Sequence, residues 1–218
     1  RKSITETVRA QPLTVIQGET GCGKSSRVPQ FLLADQLERA ASRARKGKSS
    51  GAAEDRPPHI VVTQPRRIAA ITLAKRVASE RGEKVGDTVG YLIGQERVVS
   101  DRTRLFFVTS GWLLQKLVFN PSFLSECTHL ILDEIHERDI DSDLLYVVVK
   151  RLLNRSDEIE ALTDAADAAI AGPAGKSKKA RAERKTAQAA AEQIVKEGNR
   201  SAPKLVLMSA TFNTELVN

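Results

Sequence analysis

The chain has 218 residues, of which 41% are hydrophobic, and its formal net charge at pH 7 is +7. That length and apolar content are sufficient for one α/β domain with a buried core. The positive charge favours a polyanionic partner, and charge alone leaves RNA, DNA and anionic membranes open. The two cysteines, Cys22 and Cys127, have neither the spacing of a zinc site nor that of a disulfide framework, so we expect a reducing compartment.

Two further features bear on localisation. No apolar run reaches the length of a membrane-spanning helix, and residues 1–11 lack the apolar core of a secretory signal. We therefore expect an intracellular protein without membrane contact, in the cytoplasm or the nucleus, with the mitochondrion left open. The abrupt start and end of the chain indicate a fragment of a longer protein.

Short apolar runs alternate with helical patterns along the chain. Five runs rich in branched residues predict strands that are buried on both faces: residues 13–18, 59–64, 104–110, 129–134 and 204–211. Apolar residues at spacings of three and four predict four amphipathic helices: residues 24–40, 66–82, 111–119 and 141–153. This alternation predicts an α/β fold with a doubly wound, mostly parallel sheet and helices on both faces. Ligands of such sheets bind at the carboxyl ends of the strands.

Three stretches depart from this alternation. Residues 91–110 predict a hairpin that turns at Ser100 to Thr103 and adds an antiparallel element. Residues 42–58 are basic and then rich in Gly, Ser and Pro, which predicts a solvated loop. Residues 157–202 are rich in alanine, with a basic cluster around Lys178, and we interpret them as a tolerated surface insertion in preference to an RNA-binding arm. We thus expect one domain over residues 1–218 with two low-complexity insertions.

The residues after the first predicted strand match a phosphate-binding loop. The stretch GETGCGKSS, Gly18 to Ser26, has the pattern Gly, four residues, Gly, Lys, Ser/Thr. Its glycines let backbone N–H groups and the N-terminus of the next helix approach a triphosphate. Lys24 would reach the β and γ phosphates, and the Ser25 hydroxyl would bind Mg²⁺. A glycine turn with an incidental lysine is the alternative, which the preceding strand and following helix disfavour. The predicted nucleotide-binding residues in the loop are Gly18, Glu19, Thr20, Gly21, Cys22, Gly23, Lys24, Ser25 and Ser26.

Two adjacent carboxylates end the predicted strand that begins at His129. Asp133 at the end of this strand is suited to hold Mg²⁺ through water, and Glu134 to orient or deprotonate an attacking water. The alternative is that both acidic residues cap the next helix. Together with a phosphate-binding loop about a hundred residues upstream, the pair predicts hydrolysis of a nucleoside triphosphate.

Five short motifs, in order along the chain, carry a resemblance to a known family. They are GETGCGKS from Gly18, TQPRRIAA from Thr63, VTSGWLL from Val108, DEIH from Asp133 and SAT from Ser209. They resemble motifs I, Ia, Ib, II and III in the first RecA-like domain of superfamily 2 helicases of the DEAH/RHA group. The resemblance covers nearly the whole chain apart from the two insertions and implies a RecA-like P-loop NTPase domain. Ile135, where many members have alanine, favours the RHA branch.

The resemblance also implies roles for individual residues. Arg76 would stack on the adenine of ATP, and His136 would join Lys24, Asp133 and Glu134 as a catalytic residue. Residues of motifs Ia and Ib would bind RNA phosphates: Arg66, Arg67, Thr109, Ser110 and Gly111. The SAT motif would couple the nucleotide site to the RNA surface through Ser209, Ala210 and Thr211.

The implied partners are ATP, Mg²⁺, single-stranded RNA held by its backbone, and a second RecA-like domain of the same full-length protein. That second domain and the accessory C-terminal domains are absent from residues 1–218. An arginine finger from a second domain is worth roughly a thousandfold or more in rate, so the isolated domain should hydrolyse ATP weakly or not at all. Two alternatives stay open: a catalytically idle RNA-binding or scaffold module, and a DNA helicase or other P-loop motor.

Overall fold

The computed structural model describes residues 2–46, 56–137, 139–153 and 202–210. The chain divides into two units, one formed by Arg1–Val148 with Pro203–Asn218 and the other by Val149–Ala202. The first unit carries the sheet and the predicted site residues. Of the second unit only residues 149–153 and Ala202 are described, so nearly all of the predicted insertion at 157–202 lies outside the described residues.

The described residues form an alternating series of helices and strands. In chain order these are α1 Lys2–Ala10, β1 Leu13–Gln17, α2 Lys24–Lys46, β2 Ile60–Gln64, α3 Arg67–Glu80, β3 Val89–Ile93, β4 Glu96–Val98, β5 Leu105–Thr109, α4 Ser110–Phe119, α5 Phe123–Glu126, β6 His129–Leu132, a 3-10 turn Ile135–Glu137, α6 over residues 140–153, and β7 Lys204–Ser209. All five predicted strands and all four predicted helices are present. The helix α1 had not been predicted.

The strands form one seven-stranded sheet in the order β1-β7-β6-β2-β5-β3-β4. Every neighbouring pair is parallel except β3 with β4. All five residues of the central strand β2 are buried, as expected for a parallel strand that is covered on both faces. The predicted α/β fold with a doubly wound, mostly parallel sheet is confirmed.

Alternate residues of the strands supply the cores on the two faces. On one face Ile60, Phe107 and Met208 belong to a cluster that includes Leu33 of α2 and Ala74 of α3. The intervening strand residues face the other side, where α4 contributes buried Leu113 and Leu117. Helices therefore cover both faces, as predicted. Within the described part of the chain, no helix combines the length and apolar composition needed to cross a bilayer.

The hairpin and the first insertion differ from the predictions made for them. The antiparallel pair is β3 with β4, and its two-residue turn begins at Gly94, whose φ of 49° suits glycine. Ser100 to Thr103 instead form a turn that leads into β5, which runs parallel to β3. The predicted loop at 42–58 also begins too early, because α2 continues to Lys46; residues 47–55 lie outside the described residues.

Candidate active site

The parallel strands bring the motifs together at one edge of the sheet. In register, Gln17 at the end of β1 lies opposite Ser209 of β7, and Gln64 at the end of β2 lies opposite Thr109 of β5. The strand β6, which lies between β7 and β2, ends one residue before Asp133. Five strand ends thus meet where a doubly wound sheet binds ligands.

Glycines give the predicted phosphate-binding loop its shape. Gly21 and Gly23 have φ values of 81° and 86°, a left-handed conformation that costs other residues steric strain. At Gly18 a Cβ would lie 3.0 Å from Cys22 Sγ, so the chain folds closely on itself there. The Gly18 N–H donates to the Ser209 carbonyl at 3.2 Å. This bond links the start of the loop to the SAT motif.

The remaining loop side chains differ in exposure. Glu19, Thr20 and Cys22 are exposed, and Ser26 is buried with its hydroxyl donating to the Gly23 carbonyl at 3.2 Å. Ser26 would therefore contact a phosphate through its backbone and not through its hydroxyl. Lys24 is also buried, and its Nζ lies 3.6 Å from Glu134 Oε1. The loop lysine and the second motif II carboxylate therefore lie close together.

Asp133 is held on several sides. The carboxylate is 3% exposed, and its Oδ2 accepts from Gln64 Nε2 at 2.6 Å while its Oδ1 accepts from the Glu134 N–H at 2.9 Å. Ser25 also makes a side-chain hydrogen bond to it. Burial raises the pKa of Asp133 above its ordinary value, and the bonds from Ser25 and Gln64 act in the opposite direction. The predicted pair Ser25 and Asp133 therefore lies close together.

Glu134 has an unusual backbone. Its φ is 53°, the left-handed region that non-glycine residues rarely adopt and that is enriched at functional sites. Its Oε1 faces Lys24, and its Oε2 lies 3.3 Å from His136 Nδ1. That nitrogen accepts from the Ala210 N–H at 3.5 Å, and Oε2 has no hydrogen-bond donor among the described residues. A buried carboxylate oxygen in this state suits a water molecule as its donor.

His136 connects this turn to the SAT motif. It lies in the 3-10 turn after Glu134, and its bond from Ala210 links motif II to the end of β7. Ser209 is buried in β7, and its carbonyl binds Gly18. Thr211, the third predicted coupling residue, lies outside the described residues. The contacts suit the predicted coupling role of Ser209 and Ala210, which stays a prediction.

The donor set fits Mg²⁺. Magnesium prefers oxygen ligands and takes one or two carboxylates together with substrate phosphates and water. Ser25 and Asp133 offer a hydroxyl and a carboxylate beside the phosphate-binding loop. Among the described residues no group of three or more His, Cys, Asp or Glu side chains could hold a metal ion without other ligands. A nucleotide-bound Mg²⁺ needs no such group.

Arg76 lies in a polar cluster beside the loop. Its Nε donates to Glu80 Oε1 at 3.0 Å, and Gln30 Nε2 donates to Glu80 Oε2 at 2.8 Å. Gln30 also donates to the Ser26 carbonyl at 3.0 Å, and Arg27 lies 3.9 Å from the same carboxylate. The exposed guanidinium of Arg76 is thereby tied to the first turns of α2. Its predicted contact with adenine stays a prediction.

The predicted RNA-binding arginines begin α3. Arg66 precedes the helix in extended conformation and Arg67 is its first residue, and both are exposed. Arg66 NH2 lies 3.2 Å from Glu137 Oε2. Glu137 in turn donates its N–H to the Glu134 carbonyl at 2.9 Å. The motif Ia surface therefore contacts the turn that carries the motif II carboxylates.

The motif Ib side chains are engaged inside the protein. The Thr109 hydroxyl caps α4 by accepting from the Trp112 N–H at 3.3 Å. Ser110 is buried, and its hydroxyl bonds that of Ser142 at 2.8 Å. At Gly111 a Cβ would lie 2.6 Å from Asp141 Oδ2. The predicted RNA contacts of Thr109, Ser110 and Gly111 stay predictions.

Proteins similar to the chain carry helicase names. The chain is 44% identical over 153 residues to the probable ATP-dependent RNA helicase spindle-E of Anopheles gambiae. It is 39% identical over 162 residues to the DExH-box ATP-dependent RNA helicase DExH1 of Arabidopsis thaliana, and 40% over 162 residues to the putative ATP-dependent RNA helicase DHX57 of Homo sapiens. The chain contains a DEAH-type helicase domain of superfamily 2. No protein-family model matches it.

These alignments cover 70% to 74% of the DEAH-type chain, but only 9%, 15% and 11% of the three relatives. The chain therefore spans a small part of each relative's length. Within this DEAH-type domain, sequence reasoning missed Gln64, Glu80 and Glu137. Gln64 follows a buried run at a strand end, which is a signal that could have identified it. Glu80 pairs with Arg76 four residues earlier in α3, a helical spacing that could have identified it. Glu137 has no such signal, because its partner Arg66 lies in another segment.

Proposed function

We propose that the chain is the ATP-binding motor domain of an RNA helicase, which couples ATP hydrolysis to movement along RNA or to its remodelling. The observation that carries this proposal is the meeting of Lys24, Ser25, Asp133 and Glu134 at one edge of the sheet. These residues come from two segments more than a hundred positions apart, and together they supply a phosphate-binding cation, oxygen ligands and a base.

The residues would divide the reaction as follows. Lys24 and the N–H groups of the loop bind the phosphate oxygens of ATP. Ser25 and Asp133 would hold Mg²⁺, which supplies positive charge against the phosphate oxygens when bound. Glu134 orients the attacking water and accepts its proton, and the Oε2 oxygen that lacks a donor is suited to that water. Arg76, fixed by Glu80, stacks on the adenine.

RNA would bind along the adjacent edge of the sheet. Arg66 and Arg67 and the N-terminus of α4 offer guanidinium and N–H donors to phosphates, contacts that hold RNA without reading its sequence. A second RecA-like domain of the full-length protein would close over ATP and supply an arginine finger. Contacts from His136 to Ala210 and from Arg66 to Glu137 support coupling between the two sites.

The test is the ATPase activity of the full-length protein, with and without single-stranded RNA. We expect RNA to stimulate turnover, and Glu134→Gln to lower it by roughly 10²–10⁴-fold because the proton acceptor is lost. Glu6→Gln, which removes an exposed carboxylate of α1, is the matched control and should retain activity. If the protein binds RNA but shows no ATP turnover, the motor proposal is wrong and an idle RNA-binding module is supported. Competition by single-stranded DNA tests the substrate class.

A further inference from the structure

Gln64 is a buried polar side chain at the nucleotide site, and the proposed function assigns it no role. It ends β2, is 2% exposed, and donates its amide Nε2 to Asp133 Oδ2 at 2.6 Å. The other oxygen of Asp133 accepts from a backbone N–H of its own turn. Gln64 therefore supplies a long-range contact that fixes this carboxylate relative to the sheet.

The position of Gln64 explains why a side chain is needed there. Backbone pairing between β2 and β6 ends at Thr63 and Leu132, one residue before both Gln64 and Asp133. Beyond that point the β2–β6 backbone ladder no longer aligns the two segments. The amide of Gln64 bridges them and so continues the link past the end of the strands.

The chemistry of an amide suits a carboxylate that holds a cation. A neutral donor stabilises the ionised carboxylate and restricts its rotation, but adds no positive charge that would repel a metal ion. A lysine or arginine in this place would compete with the cation electrostatically. An apolar residue would leave Asp133 Oδ2 buried without this donor.

We propose that Gln64 is a positioning residue that orients the metal-holding carboxylate of Asp133. The inference rests on the proposed function, since it assumes that Asp133 and Ser25 bind Mg²⁺ with ATP. Mutation of a residue that hydrogen-bonds a metal ligand without touching the metal commonly lowers metal affinity or activity by roughly 10–100-fold. Motif Ia would then serve the metal site through Gln64 in addition to the RNA surface through Arg66.

The experiment measures ATP binding to the full-length protein, once with Mg²⁺ and once with EDTA. The variant Gln64→Met removes the donor and keeps the side-chain length. We expect it to lower the Mg²⁺-dependent gain in ATP affinity by roughly 10–100-fold and to leave affinity in EDTA unchanged. Thr63→Val is the matched control, because it removes a buried bond from Thr63 to the Ile131 carbonyl between the same strands and should keep the full gain.

Folding is followed in parallel, with Gln64→Leu as a second variant. An unchanged Mg²⁺-dependent gain in a folded Gln64 variant would overturn this inference while leaving the proposed function intact. Failure of both variants to fold would also overturn it, because Gln64 would then act on stability. If the wild-type protein itself shows no ATP binding, the proposed function fails, which distinguishes the two outcomes.

Discussion

Acidification should destabilise this domain through one buried histidine. His129 begins β6 and is 8% exposed, and burial, reinforced by the positive charge of Lys204, lowers its pKa from 6.5 to about 4. Gln36 Nε2 lies 3.2 Å from its Nδ1, which suits a neutral ring that accepts there and not a protonated one. The folded state therefore resists protonation that the unfolded chain accepts.

The sign and size follow from this difference in pKa. Above pH 6.5 the imidazole is neutral in both states and the contribution to stability is fully present. As the pH falls from 6.5 to 4, only the unfolded state takes up the proton, so the free energy of unfolding declines. A shift of about 2.5 units at 1.36 kcal/mol per unit gives a loss of about 3 kcal/mol.

Urea unfolding, followed by the fluorescence of the single tryptophan Trp112, measures this loss at a series of pH values. The comparison is with His129→Asn, which lacks the titrating ring. The remaining titratable groups, including His59, whose pKa burial also lowers, are common to both proteins and cancel in the difference. The stability advantage of the wild type should shrink by about 3 kcal/mol between pH 7 and pH 4. Parallel curves would refute the reasoning.

Three further outcomes are expected. Iodoacetamide should modify exposed Cys22 in the native protein, and ATP should protect it. Buried Cys127, whose pKa is raised to about 12, should react only after unfolding. Mass spectrometry measures the modification of each cysteine. Gly23→Ala should destabilise the domain by about 1 kcal/mol and weaken ATP binding in a binding assay. Gly82→Ala, at a φ of 70° outside the loop, should cost similar stability and leave ATP binding unchanged. Phe107→Ala, in a fully buried position of the core, should lower the free energy of urea unfolding by about 3–5 kcal/mol.

The sequence was sufficient for the parts of the fold that depend on local pattern. Buried runs such as the one that contains Val61 and Val62 identify strands, and their ends locate the site, because parallel strands present their carboxyl ends at one edge. The phosphate-binding loop and the motif II carboxylates were predicted together for the same reason. The observed contact between Lys24 and Glu134 agrees with this prediction.

Errors arose where two local preferences compete. The basic segment after Ser42 was assigned to a loop by its composition, yet alanine, arginine and lysine are strong helix formers and α2 continues through them. The hairpin turn was assigned to Ser100–Thr103, although Gly94 offers the positive φ that a two-residue turn favours. In both places the structure follows the stronger conformational preference, which is that of the helix formers in α2 and of glycine in the turn.

Long-range side-chain contacts could not be predicted from one sequence. The bond from Gln64 to Asp133 joins segments 69 positions apart. The left-handed backbone of Glu134 depends on packing around the turn and has no sequence signal of its own. The same holds for the bond between the hydroxyls of Ser110 and Ser142, which lie 32 positions apart.

The ion pair between Arg66 and Glu137 changes what RNA binding would mean at this edge. An arriving phosphate would not meet a bare cation; it would exchange places with a carboxylate that the protein already supplies. Such an exchange releases less counter-ion and contributes less affinity than a contact with an unpaired arginine. In return it frees Glu137, whose N–H is bonded to the Glu134 carbonyl. An RNA phosphate would then compete with Glu137 for Arg66, at a distance of one hydrogen bond from the backbone of Glu134.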